Sequence, residues 1–313
     1  MDQKCSIAVI GAGAVGCYYG ARLAESGHKV HFLMRRDYQA VRIAGLRLTS
    51  PEGDLTLSNP AITLTSEDIG PVDWVLCALK TTSMEYAYKL VRPCVAADTR
   101  ILVLMNGLGI EERFADWFDA NRIFGGMAFT CINRSEPGQV HHLAHGRITI
   151  GHFQNDPVEL ETAMALWKRS KVEVSASLSL RCARWEKLCW NIPFSGLCVA
   201  AGGIAIDGIA CNAKLRNVAL TLMEEVIAAG NADLASHGEM ARLDRNAIVT
   251  HMFHLTDTMG AYRPSLLIDF LEQRQMEVEA MFVEPLRRAQ SLGVNTPQLR
   301  LLAALLFSLG IRR

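Results

Sequence analysis

The stretch CSIAVIGAGAVGCYYG, residues 5–20, decides the fold. CSIAVI is an apolar run of strand length, and glycines 11, 13 and 16 follow it at once in G-x-G-x-x-G spacing. In that pattern the first glycine permits a tight turn and the second lets the backbone approach a diphosphate. The third lets a helix pack close on its strand. The helix then turns its N-terminus, with its free N–H groups, toward the phosphates. The pattern alone is common; what makes it informative is a strand before it and a helix after it. Gly11, Ala12, Gly13, Ala14, Val15 and Gly16 are therefore candidate contacts to a dinucleotide, against the plainer reading of a glycine-rich turn in an unrelated α/β fold.

The helix AVGCYYGARLAESG stops at Gly27, and KVHFLM, residues 29–34, supplies a second strand. A site for NAD usually places Asp or Glu after this strand, for the ribose hydroxyls, whereas a ribose phosphate calls for Arg. Here Arg35 and Arg36 follow. NADP(H) is thus the expected cofactor, with Arg35 on its phosphate; the alternative is a solvated arginine pair. Lys80, just beyond the apolar run DWVLCAL, is the second candidate for the adenosine end.

Working outward, RLTSPEGDLTLS reads as a hairpin about a Pro-Glu-Gly-Asp turn. DWVLCAL, RILVLMN and RIFGGMAF are continuous apolar strands of the parallel-sheet kind. VHHLAHGRITIG reads as a second hairpin, DPVELETAMALWKRS as an amphipathic helix and KVEVSA as a short strand. Beyond about residue 178 the segments turn helical, including one long helix over LLIDFLEQRQMEVEAMFVEPLRRAQSLG. The expected architecture is an α/β N-terminal Rossmann-type dinucleotide-binding domain, residues 1–177, and an all-α C-terminal domain, residues 178–313, carrying substrate and catalysis.

Composition has an ordinary soluble globular balance. The 313 residues carry 32 Lys plus Arg against 32 Asp plus Glu, and half are hydrophobic. That balance argues against nucleic acid as a partner. No apolar run reaches the roughly 18 residues of a membrane span. The fold starts almost at the first residue, so no signal peptide is expected. The nine cysteines form no CxxC pair. Those at 77, 131, 189 and 198 lie in apolar runs, which suits reduced core thiols and a cytoplasmic location.

Three polar sets stand out. Lys187, Asn191 and Ser195 are spaced i, i+4, i+8 on one helix, either toward a ligand or toward solvent. Pro193 is expected to kink that helix. Ser265 follows Pro264 at a helix start, where N-capping is its ordinary task, and Glu277 borders an apolar stripe that includes Phe270 and Met281. A carboxylate there needs a partner or a ligand. Asn106-Gly107 follows the run ILVLM at a sheet edge, where it serves a ligand or simply a turn.

Taken in order, GAGAVG, the Arg after the second strand, Lys80, Asn106-Gly107, the Lys187-to-Asn191 helix and Ser265 with Glu277 resemble the ketopantoate reductase (2-dehydropantoate 2-reductase) family over nearly the whole chain. The resemblance implies NADPH-dependent reduction of 2-dehydropantoate to (R)-pantoate, toward pantothenate and coenzyme A, with the nicotinamide between the two domains. It implies Lys187 as the general acid and Glu277 as its anchor or that of the substrate hydroxyl. Asn106, Asn191, Ser195 and Ser265 would hold the substrate, and Asn106 and Glu277 also border the cofactor. Ser195 departs from the family, which often has Asn there; a shorter side chain without the amide's donor and acceptor leaves the identity of the 2-oxo acid open. A different 2-oxo acid, a related hydroxy-acid or sugar-phosphate dehydrogenase, and a non-catalytic NADPH sensor are the competing functions. Leu301, Leu302, Leu305 and Leu306 close the helical core or form the face of a homodimer.

Overall fold

The computed structural model describes residues 4–311. It contains two compact units: residues up to Met105 with Ile110–Leu180, and Asn106–Gly109 with Arg181 onward.

The first unit runs β1 (Ser6–Ile10), α1 (Ala14–Glu25), β2 (Lys29–Leu33), α2 (Tyr38–Ala44), β3 (Leu46–Thr49), β4 (Leu55–Leu57), β5 (Ala61–Thr63), β6 (Trp74–Cys77), α3 (Met84–Val91), β7 (Arg100–Val103), α4 (Ile110–Ala115), β8 (Ile123–Arg134), β9 (Gln139–His152), α5 (Pro157–Ala165) and β10 (Val174–Ser177). The sheet order is β4-β3-β9-β8-β7-β6-β1-β2-β5, with β10 beside β9. From β5 through β8 every pairing is parallel. That is why the strands read as unbroken apolar runs: Ile7, Ala8, Val9 and Ile10 have no exposed surface at all. From β1 the chain builds outward to β2 and β5, then returns to β6 on the other flank of β1. This reversal is the switch point at which such sheets bind ligands beyond their carboxyl ends.

The hairpin about residues 50–54 forms as read, with β3 and β4 antiparallel. The second one does not. VHHLAHGRITIG lies within the single strand β9, which pairs antiparallel with β8. His145 and Gly146 have φ of 66° and 108° and sit opposite a register shift between Phe129 and Thr130. Their left-handed backbone makes a bulge, with Gly146 the extra residue, rather than a reversal of direction.

The second unit is helical: α6 (Leu180–Trp190), α7 (Gly196–Ala200), α8 (Ile206–Ala210), α9 (Ala213–Ser236), α10 (Arg245–Asp257), α11 (Ser265–Leu271), α12 (Glu284–Ser291) and α13 (Pro297–Ile311). Its core gathers Trp185, Phe194, Met223, Phe282 and Leu306. The buried carboxylate of Glu225, on α9, accepts the N–H groups of Gln298 and Leu299 at 3.0 and 2.9 Å and so caps α13. The long helix expected from LLIDFLEQRQ onward is broken: α11 ends at Leu271 and the chain stays non-helical through Glu277. Gln273 has φ of 55°, and Arg274 folds back to donate from its N–H to the Asp269 carbonyl at 2.8 Å and from Nε to the Asp269 carboxylate at 2.9 Å. The polar run Glu-Gln-Arg-Gln offers no apolar residue to hold a further turn against the core. Among the described residues no helix is long and apolar enough to cross a membrane.

Candidate active site

Within the first unit, the residues expected at the cofactor follow adjacent strands. Gly11 ends β1 with φ of 94°, and a Cβ there would stand 2.6 Å from the backbone of Ala78 and Leu79, just past β6. A Cβ on Gly16 would lie 2.3 Å from the Gly11 carbonyl oxygen. At Gly13 the same atom would meet nothing within 4 Å. Two glycines thus close the turn, while the middle one leaves room above the start of α1. No side chain caps α1, and its first turn carries no acidic residue. Its N-terminal N–H groups lack helical acceptors by construction. Free space, an uncapped helix start and a first turn without acidic side chains suit a diphosphate, so these residues fit a dinucleotide. Arg35 is exposed just past β2, and among the described residues it makes no ion pair. Lys80 is exposed and precedes a short 3-10 turn.

In the second unit, α6 presents Lys187 between two anchored indoles. Trp185 donates to the Asp233 carboxylate at 2.8 Å and Trp190 to the Thr256 hydroxyl at 3.1 Å. Both rings are buried, which fixes the roll of the helix about its axis. Pro193 does not simply kink it. The chain passes through a π-helical turn, Asn191–Ser195, and continues as α7. Proline cannot donate to the carbonyl four residues back, and the wider turn absorbs that missing bond. In an α-helix, positions four apart drift by about 40° per step. A π turn uses more residues per revolution and rotates Ser195 back toward the line of Lys187 and Asn191. Asn191 is half-buried, whereas Ser195 is buried, and among the described residues its hydroxyl has no hydrogen-bond partner.

Asn106-Gly107 belongs to this same unit. Gly107 has φ of 99°, and a Cβ there would stand 2.6 Å from the Cβ and carbonyl oxygen of Ala280. The Leu108 N–H donates to that carbonyl at 3.0 Å. Ala280 lies in a second π turn, Glu279–Val283, which precedes Pro285 as the first surrounds Pro193. The dipeptide therefore makes a turn and also delivers its side chain. Lys187 Nζ donates to Asn106 Oδ1 at 2.9 Å, and Asn106 Nδ2 points to Glu277 Oε2 at 3.4 Å. An ammonium can only donate and an ionised carboxylate only accept, so this pairing sets which end of the amide faces which residue. Glu277 is buried, at 5% exposure, on the segment freed by the end of α11. The residues that sequence spacing left far apart, at 106, 187 and 277, thus meet in one chain of polar contacts. Ser265 is the first residue of α11 and is exposed; Pro264 occupies the cap position and no side chain caps the helix.

Sequence reading passed over two groups. Asp233 holds α6 in place, accepting from Trp185, from Arg181 at 3.2 Å and from Arg288 at 3.3 Å. Burial alone would raise its pKa, but these donors outweigh it and hold the carboxyl below the ordinary aspartate value. Asp37, two residues after Arg35, is buried and accepts from Arg134 at 3.0 Å and from the Gly138 N–H at 3.2 Å. Its place beside Arg35 was a visible signal, but nothing in the sequence pairs it with Arg134. The cysteines at 77, 131, 189 and 198 are buried, and among the described residues they form no disulfide. Burial pushes the Cys77 and Cys198 thiols up to about 12, which suits inert core groups.

The model of the family "Ketopantoate reductase PanE/ApbA" matches residues 7–155, and that of its C-terminal domain matches residues 179–309. A 2-dehydropantoate 2-reductase of Nostoc sp. is 36% identical over 301 residues, covering 94% of this chain and 92% of its own. The crystal structure of 2-dehydropantoate 2-reductase from Geobacter metallireducens superposes with a TM-score of 0.92 at 43% identity, over 97% of this chain and 99% of that one. At 22% identity and a TM-score of 0.88, a D-mandelate dehydrogenase shares the fold over 98% of this chain and 99% of its own.

Proposed function

The chain belongs to the ketopantoate reductase family and is an oxidoreductase, and from that premise we propose that it reduces 2-dehydropantoate to (R)-pantoate with NADPH, Lys187 acting as general acid. The observation that carries this reading is the hydrogen bond from Lys187 to Asn106, continued to the buried Glu277.

The cofactor, when bound, supplies the hydride that reduces the carbonyl carbon. The chain's part is to stabilise the negative charge that then grows on oxygen and to deliver a proton to it. Lys187 carries three N–H donors. Asn106 takes one of them, which orients the ammonium without neutralising it. Glu277 balances its charge from the far side of the amide. A 2-oxo acid also brings a carboxylate, for which Asn191, Ser195 and Ser265 supply neutral donors. Gly11 through Gly16 would hold the diphosphate, Arg35 and Lys80 the phosphorylated ribose, and Asn106 and Glu277 would border the reactive end.

A second reading, a different 2-oxo acid on the same machinery, is favoured by Ser195. Ser195 is buried, and its short hydroxyl would meet a substrate group differently from the asparagine often found there. Turnover on 2-dehydropantoate beside a panel of 2-oxo acids separates the two. We further propose a homodimer through α13, supported by the split of its leucines: Leu302 and Leu306 enter the core, while Leu301 and Leu305 are 62% and 46% exposed.

A further inference from the structure

We propose that Arg134 is a cofactor-specificity residue: by neutralising Asp37, it keeps the end of β2 receptive to a ribose phosphate. The inference rests on the reading of Arg35 as the phosphate ligand. In dinucleotide sheets a carboxylate after the second strand accepts ribose hydroxyls and repels a phosphate at the same place. This chain has such a carboxylate, Asp37, just two residues beyond Arg35. It is only 4% exposed. One oxygen is occupied by the Arg134 guanidinium at 3.0 Å and the Gly138 N–H at 3.2 Å. The other is buried without a hydrogen bond among the described residues; Arg36 Nε stands 3.6 Å away on a side chain that is 71% exposed. The charge is felt at the start of α1, where Cys17 is pushed up to about 12 by burial and then by Asp37. Asp37 is thus a buried carboxylate two residues beyond Arg35, and Arg134, brought in from the far end of β8, is the buried-side cation that directly offsets it. Asp37 without Arg134 would be an uncompensated carboxylate two residues from the phosphate ligand Arg35, in a buried setting where such a charge is weakly screened.

The test is the preference ratio for NADPH over NADH in the full-length protein, read as Kd by fluorescence titration without substrate and as kcat/KM. Arg134→Met should lower that ratio about tenfold or more, NADPH suffering far more than NADH. Arg134→Lys should retain it. Asp37→Asn, which removes the repelling charge and leaves the partly exposed Arg134 guanidinium in place, should hold or raise the ratio even if Arg134→Met folds poorly. The double variant Asp37→Asn/Arg134→Met should return it toward wild type. Equal losses with both cofactors in Arg134→Met, or a fall in the ratio in Asp37→Asn, would overturn the proposal. If wild type prefers NADPH and Arg35→Ala abolishes that preference while Arg134→Met leaves it intact, only this inference fails. A wild type that prefers NADH removes the reading of Arg35 and this inference with it.

Discussion

Lys187 Nζ donates to Asn106 Oδ1 at 2.9 Å, joining the middle of α6 to a turn that precedes it by some eighty residues. The contact orients the ammonium through the neutral amide oxygen of Asn106. Lys187→Ala is expected to lower kcat by about two to four powers of ten, the scale of a positioned acid, with NADPH affinity retained. Asn106→Ala, which removes this acceptor and keeps the ammonium, should cost up to about a hundredfold in kcat. Steady-state kinetics with a fluorescence titration of NADPH reads both; unchanged turnover in Lys187→Ala would end the assignment.

Arg35 is exposed past β2 and, among the described residues, is not engaged in an ion pair. Arg35→Ala should abolish the preference for NADPH over NADH and leave kcat with saturating cofactor nearly unchanged. The measurement is KM for each cofactor. A preference that survives the substitution would place the phosphate elsewhere.

Ser195 is 3% exposed, and its hydroxyl has no partner among the described residues. Ser195→Ala should therefore leave Tm close to that of wild type. It should raise KM for the true substrate about two- to tenfold, the worth of one neutral hydrogen bond. A KM that does not move on any 2-oxo acid would mean that the hydroxyl does not touch substrate.

Asp233 ties α6 to α9 and α12 through Trp185, Arg181 and Arg288. Its folded pKa lies below the unfolded one. The stability it contributes is therefore fully present above the ordinary aspartate range and is lost as pH falls through that range toward the lower folded value. Asp233→Ala should cost about 3–5 kcal/mol at neutral pH, because two arginines lose a buried counter-charge. The difference in stability from wild type should shrink on acidification. Chemical denaturation at neutral and acid pH measures it; a difference independent of pH would contradict the linkage.

The exposed leucines of α13 give an oligomer prediction. Wild type should sediment as a dimer, and Leu301→Glu with Leu305→Glu as a folded monomer. A monomeric wild type, or a dimer indifferent to both changes, would show that this face is not the interface.

Much of the first unit was legible because its signals are local. A strand, a glycine turn and a helix succeed one another in CSIAVIGAGAVGCYYG, and each parallel strand is an unbroken apolar run, since both of its faces are buried. The bulge at His145 and Gly146 was misread as a turn because glycine after a left-handed residue serves either purpose, and only the register against β8 decides. In the helical unit, apolar periodicity gave the helical character but ran straight across the break after Leu271. The fold-back of Arg274 onto Asp269, invisible to periodicity, ends α11 and frees Glu277. The candidate site was legible as residue types: Lys187, Asn106 and Glu277 were each singled out. That Asn106 stands between the other two was not legible, because it depends on the approach of Gly107 to Ala280 in a π turn that no sequence pattern announces. The pairing of Asp37 with Arg134 was hidden for the same reason: the partners lie on β8 and beyond β2, and three-dimensional register alone brings them together.

The most direct test of the account is NADPH oxidation by the purified protein with 2-dehydropantoate beside a panel of other 2-oxo acids. The account predicts a kcat/KM of about 10⁴ M⁻¹s⁻¹ or more for 2-dehydropantoate, an ordinary enzymatic efficiency, and its collapse in Lys187→Ala. Weak turnover on 2-dehydropantoate beside strong turnover on another 2-oxo acid would contradict the substrate assignment, and NADPH binding without oxidation on any of them would contradict the chemistry.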